Sequence, residues 1–138
     1  MKKLSLVIFD MDGLLIDSER GMWIVNQKRV VEELGFEYHL DFTRTLMGSG
    51  IDYFSAKLAE HYGNGFSADE FKSRIMKYND EYIYGNKIKP MKGAYELLDY
   101  LQSINMPMCV ATSSKRKIAE TVLTNLDLIK CFDYLVCE

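Results

Sequence analysis

The sequence predicts an α/β protein with parallel, buried strands interrupted by one long helical insertion. Three observations carry that prediction. The runs Leu4-Ser5-Leu6-Val7-Ile8-Phe9, Met108-Cys109-Val110-Ala111 and Tyr134-Leu135-Val136-Cys137 are short, apolar and rich in strand formers. Such runs fit strands covered on both faces, as in a parallel sheet. Between the first and second runs, residues 18–84 show helical spacing and no strand signal. The first run stops abruptly at Asp10, Asp12 and Gly13. Acids at the carboxyl end of such a strand stand where open α/β sheets bind ligands.

The elements follow in order. Gly13 allows a sharp turn directly after the acids. Asp17-Ser18-Glu19 reads as a helix start, with Asp17 or Ser18 as cap. Trp23, Val30, Val31 and Leu34 continue it as an apolar stripe that stops at Gly35. Asp41 opens a short helix ending near Gly48. Ile51, Phe54, Leu58, Ala59 and Tyr62 recur at helical intervals up to Gly63. Ser67-Ala68-Asp69-Glu70 has the form of a capping box and opens a helix carrying Phe71, Ile75, Tyr78 and Tyr82. Lys87 to Lys92, with Pro90, is the return hinge. Ala94, Leu97, Leu98 and Leu101 mark the next amphipathic helix, and Pro107 leads into the second strand, where a first-position proline is tolerated. Ile118, Val122 and Leu126 form a last helix before the third strand. Two regions are expected, a core from 1–16 and 88–138 and a helical insertion from 17–87.

At 138 residues the chain is one ordinary domain, long enough for a single core. Apolar content of 48% and charged content of 27% are those of a globular protein. A net charge of −3 with interspersed signs gives no nucleic-acid or anionic-membrane surface. No signal peptide or membrane span is read. Cys109, Cys131 and Cys137 are odd in number and lack metal-type spacing, so reduced, buried thiols and a cytoplasmic location are expected rather than a disulfide framework.

Asp10 and Asp12 leave the same face of an extended chain. Two carboxylates so close stay ionised together only around a cation or strong donors. A hard cation such as Mg²⁺ is held by one or two carboxylates plus water and substrate phosphate. One acid could then attack phosphorus while the other moves a proton. From spacing alone, a solvated Asx-type turn is an equally good reading.

The longer string Asp10-Met11-Asp12-Gly13-Leu14-Leu15-Ile16-Asp17-Ser18-Glu19 resembles the first motif of the haloacid dehalogenase (HAD) superfamily. It is most similar to the β-phosphoglucomutase-like branch, where D-x-D-G-T/L-L/I-x-D-S-E recurs. The resemblance implies a Rossmann-like core, a four-helix cap inserted just after the motif, and Mg²⁺-dependent phosphoryl transfer through an aspartyl-phosphate. It makes Asp10 the nucleophile and a Mg²⁺ ligand. It makes Asp12 the general acid/base, with its backbone carbonyl on the metal. The cap would close over the site and choose the leaving group. Pro90-Met91-Lys92-Gly93 resembles the P-x-x-G that leads the family back into its core.

Val110-Ala111-Thr112-Ser113-Ser114-Lys115-Arg116 is a strand ending in hydroxyls, followed by a helix. Hydroxyls and free N–H groups at a helix start can hold an anion. Plain N-capping by Ser113 or Ser114 is the alternative, and both can hold together. The string also resembles the second HAD motif, which assigns Thr112, with Ser113 and Ser114 adding donors. Together with Gly13 these form the phosphate-binding set. Lys115 and Arg116 are expected in a solvated first turn.

The family's third motif, a Lys, and its fourth, an acidic pair, have no assignable residue here. A fragment of a longer product is therefore expected, ahead of a natural truncation that completes its sheet by self-association, or a non-catalytic remnant. In the family's sheet order the first strand is central, so here one of its edges would be unpaired, an association hazard. The resemblance implies a phosphatase of a small phosphate monoester such as a sugar phosphate. A mutase would carry a cap Arg shortly after a glycine, and Gly48-Ser49-Gly50-Ile51-Asp52 has none. A binding module is the rival from another class. A receiver domain lacks the long helical insertion.

Overall fold

The computed structural model describes residues 5–138. Leu4, at the start of the first apolar run, lies outside them. Strand β1 is Val7–Phe9, β2 is Met108–Ala111 and β3 is Tyr134–Val136. They form one parallel sheet in the order β1-β2-β3. Val7 pairs with Met108 and Phe9 with Val110, while Cys109 pairs with Tyr134 and Ala111 with Val136. A common direction brings all carboxyl ends out at one side of the sheet.

Helices α5 (Ala94–Ser103) and α6 (Arg116–Asn125) make the crossovers. Their apolar stripes bury Ala94, Leu98 and Leu101 in α5 and Ala119, Val122 and Leu123 in α6. The central strand β2 is apolar throughout because Met108, Cys109 and Val110 are all buried. Burial on both faces fails at the outer strands. Phe9 is buried, but Ile8 is 62% exposed, and Tyr134 and Val136 are exposed on β3. Both are edge strands, so their apolar residues exceed what the neighbouring elements cover.

The chain divides into two compact units. One joins the segment up to Gly21 with Tyr82–Glu138, and the other is Met22–Glu81. In the first unit, the stretch after the acids folds back on itself and closes against the return segment. The Asp17 N–H donates to the Lys89 carbonyl at 2.8 Å, and the Met91 N–H to the Leu15 carbonyl at 2.9 Å. Ile16 pairs with Pro90 as an isolated antiparallel bridge. The ends of the insertion are thus tied together by backbone bonds. Met11, Leu15 and Ile16 anchor this tie in the core.

The second unit is helical. A π-helical turn, Glu19–Ile24, runs into α1 (Val25–Glu33), followed by α2 (Leu40–Thr45), α3 (Ile51–Tyr62) and α4 (Ala68–Tyr84), whose last residues belong to the first unit. Val30, Val31, Phe54, Leu58, Phe71 and Ile75 form its core. These are residues of the apolar stripes read from the sequence.

The helix starts differ from expectation in two places, while Asp17 is a cap as expected. Asp17 Oδ1 accepts the N–H groups of Arg20 and Gly21, so Asp17 caps the first turn. Ser18 is buried, its Oγ without a hydrogen-bond partner among the described residues. The turn Asp17 caps is π rather than α, and a Cβ on Gly21 would stand 3.3 Å from the Tyr82 hydroxyl. Ser67 Oγ accepts the Glu70 N–H as a capping box requires, but the Glu70 carboxylate turns forward to Arg74. An i,i+4 ion pair has displaced the reciprocal half of the box.

Candidate active site

Asp10 follows the last residue of β1 and Thr112 the last residue of β2. The register that pairs Phe9 with Val110 carries both beyond the same end of the sheet. Asp10 is exposed, and its Oδ1 accepts the Met11 N–H at 2.7 Å. The chain then turns. The Leu15 and Ile16 N–H groups both reach the Met11 carbonyl, at 3.0 and 3.1 Å, and Gly13 adopts φ +74°. The left-handed value explains a glycine at this position.

The second loop meets the first at Asp12. Ser114 Oγ donates to Asp12 Oδ2 at 2.8 Å, and Thr112 Oγ1 lies 3.4 Å from the same oxygen. The Ser114 N–H in turn donates to Thr112 Oγ1 at 3.1 Å. The Thr112 N–H continues the ladder to the Val136 carbonyl at 3.0 Å. Asp12, Thr112 and Ser114 therefore form one half-buried hydrogen-bonded group.

Other residues stand apart from that group. Ser113 is exposed beside it. The Gly13 N–H donates to the Ile16 carbonyl at 2.9 Å, so the glycine supplies backbone conformation rather than a free donor. Neither serine caps α6, whose N-cap is Lys115 with no side-chain bond. The Ser114 hydroxyl is taken by Asp12 instead. Arg116 turns to β3, donating from Nη2 to the Leu135 carbonyl at 2.9 Å, with Nη1 3.4 Å from Glu120.

Glu19, the last residue of the ten-residue string, is expected as part of a helix start and stands in the first turn of the π helix. It also lies next to the glycine turn, its carboxylate carbon 3.2 Å from where a Gly13 Cβ would be. Among the described residues no three His, Cys, Asp or Glu side chains converge on a metal-sized site. What the loops offer is the exposed Asp10 carboxylate and the neighbouring Asp12, two hard oxygen donors.

The model of the haloacid dehalogenase-like hydrolase family matches residues 7–138. The chain belongs to this family. The HAD-like chain is 32% identical over 133 residues to a phosphorylated carbohydrates phosphatase of Thermotoga maritima, covering 96% of this chain and 61% of that one. It is 31% identical over 138 residues to a probable pseudouridine-5'-phosphatase of Drosophila melanogaster, covering 99% and 58%. A solved Thermotoga maritima protein with a provisional beta-phosphoglucomutase name superposes with a TM-score of 0.76 at 30% identity, over 97% of this chain and 61% of that one. The HAD family hydrolase of Deinococcus radiodurans, solved with bound phosphate and sodium, shares the fold at a TM-score of 0.81 and 23% identity, over 97% and 58%. The HAD-like chain thus spans about 60% of the length of these two curated relatives. Its three parallel strands and helical insertion are the Rossmann-like core and cap of that family.

Proposed function

We propose that these residues form the phosphoryl-accepting part of a phosphatase acting on a small phosphate monoester, a sugar phosphate by class. The observation that carries this reading is the meeting of the two loops. Asp12, the second acid after β1, lies within hydrogen-bond reach of the hydroxyls beyond β2, its Oδ2 at 2.8 Å from Ser114 Oγ. The phosphatase names of relatives at 31–32% identity support the same reaction class.

Asp10 is the nucleophile. A carboxylate oxygen forms the new P–O bond as the ester P–O bond breaks, leaving an aspartyl-phosphate and an alcohol. Asp12 gives the departing alkoxide its proton, then takes one from the water that cleaves the acyl-phosphate, which returns both acids to their starting state. The Thr112 hydroxyl, with the exposed Ser113 beside it, holds the transferring oxygens. The donor set fits Mg²⁺, which one or two carboxylates hold together with water and substrate phosphate. The Asp10 carboxylate and the Asp12 backbone carbonyl would hold it. When bound, the ion offsets repulsion between an anionic nucleophile and an anionic ester. The glycine turn at 48–50 presents no arginine for a second phosphate, which supports hydrolysis over mutase transfer.

The test is phosphate release from sugar phosphates with Mg²⁺, run on this polypeptide beside any longer product, with isomerised sugar phosphate measured in parallel. Release without isomerisation is expected, and Asp10→Asn should abolish it. Wild-type rates in Asp10→Asn would refute the assignment. Release by a longer product alone would make this chain a binding part.

A further inference from the structure

We propose that Ser114 is a positioning residue for Asp12 rather than a ligand of the transferring phosphate. The inference rests on the phosphatase reading above. A serine hydroxyl has a single proton to donate. Here it goes to Asp12 Oδ2 at 2.8 Å, the tightest contact that carboxylate makes with the second loop. Fully ionised phosphate oxygens are acceptors and need donors, so the same hydroxyl cannot serve both at once.

The surrounding bonds fix the serine in this role. Its N–H donates to Thr112 Oγ1 at 3.1 Å, which sets the direction of the loop. It is not consumed as a helix cap, because α6 begins at Arg116 behind an N-cap at Lys115 without a side-chain bond. Asp12 itself stands on a turn whose backbone is tied through Gly13 to Ile16. With Oδ2 anchored by Ser114, Oδ1 is the oxygen left to exchange a proton with the leaving group. A free carboxylate rotates, and proton transfer requires the donor oxygen within hydrogen-bond reach of the reacting atom. Without the serine hydroxyl only the 3.4 Å approach of Thr112 remains, too long to hold the group.

A phosphate ligand and a positioning residue lose different things on truncation. We would compare the 138-residue wild type, Ser114→Ala and Ser114→Thr on ribose 5-phosphate and on 4-nitrophenyl phosphate, with inorganic phosphate affinity by calorimetry. The alkoxide of the sugar needs a proton to depart, whereas 4-nitrophenolate leaves without one. Ser114→Ala should lower kcat/KM on ribose 5-phosphate by about 10- to 100-fold, part of what a general acid contributes. That ratio ends at departure of the alcohol, so it leaves out the later water attack, in which Asp12 serves both esters alike. The loss in kcat/KM on the aryl ester should be far smaller, with phosphate affinity within about twofold, and Ser114→Thr should restore the sugar phosphate value. Equal losses in kcat/KM on both esters, or phosphate binding weakened about tenfold, would overturn the proposal. If the wild type hydrolyses neither ester, the phosphatase reading of this chain fails separately. The contact is then decided by a double-mutant cycle of Asp12→Ala and Ser114→Ala on urea midpoints: non-additive shifts support it, additive shifts overturn it.

Discussion

The Glu19 carboxylate occupies the space that a side chain on Gly13 would need, its carbon 3.2 Å and its Oε1 3.3 Å from an ideal Cβ. Gly13 is thus required by its φ of +74°, and a Cβ there would also have to push the exposed Glu19 side chain aside by a small amount. The dihedral alone costs an alanine about 1–2 kcal/mol. Gly13→Ala should therefore lower the unfolding free energy by at least that amount. Placed in a Glu19→Ala background, the same substitution should cost less but still about 1 kcal/mol, because the clash is relieved and the dihedral is not. Chemical denaturation of the four proteins checks this.

In the helical unit, Phe71 is fully buried and lies with its ring 6.0 Å from Phe54 and 5.9 Å from Phe66. Phe71→Ala removes the largest fully buried side chain of that core. A loss of about 3–5 kcal/mol is expected, since the aromatic neighbours cannot collapse fully into the gap. The measurement is the urea midpoint followed by near-ultraviolet circular dichroism.

Asn26 Nδ2 donates to Asn79 Oδ1 at 2.8 Å, and both residues are buried. Asn79→Leu would strand the Asn26 amide and cost about 1–3 kcal/mol. The double substitution Asn26→Leu, Asn79→Leu should cost less than Asn79→Leu alone, because neither polar group then remains to be satisfied. Thermal unfolding of the three variants separates these outcomes.

Glu33 joins two helices of the same unit. It accepts the Tyr78 hydroxyl at 2.7 Å and Arg29 Nε at 2.9 Å, with Arg74 Nη1 at 3.4 Å. The Tyr78 hydrogen bond, then that from Arg29, holds its carboxyl below the usual glutamate value. A group whose value is lowered on folding binds fewer protons in the native state, so it adds stability above its unfolded value of about 4.3. That contribution is lost as the pH falls through the lower folded value. Glu33→Gln should flatten the acid side of the stability curve and leave little pH dependence from this site. Midpoints measured between about pH 3 and pH 7 report it.

Much of this arrangement is legible in the residues. The strand at Met108–Ala111, the stripes through Val30 and Phe71, and the placing of Asp10 and Thr112 at strand ends all follow from local periodicity and turn chemistry. What misled was competition among local partners. Ser114 and Glu70 each had a nearby backbone group to satisfy, and each side chain is engaged elsewhere, by Asp12 and Arg74. Local pattern could not reveal that Ile8 would be exposed either, because apolar character says that a residue can be buried, not that something covers it.

Taken by itself, the order of residues determined the parallel strands, the helical insertion and the two loops that carry acids and hydroxyls. Each of these depends on neighbours within a turn or two of chain. Only the tertiary structure decided which hydroxyl holds Asp12, since Ser114 lies 102 residues away and reaches it through the register of β1 against β2. Sheet pairing turns that separation into a 2.8 Å hydrogen bond, and no local preference encodes it.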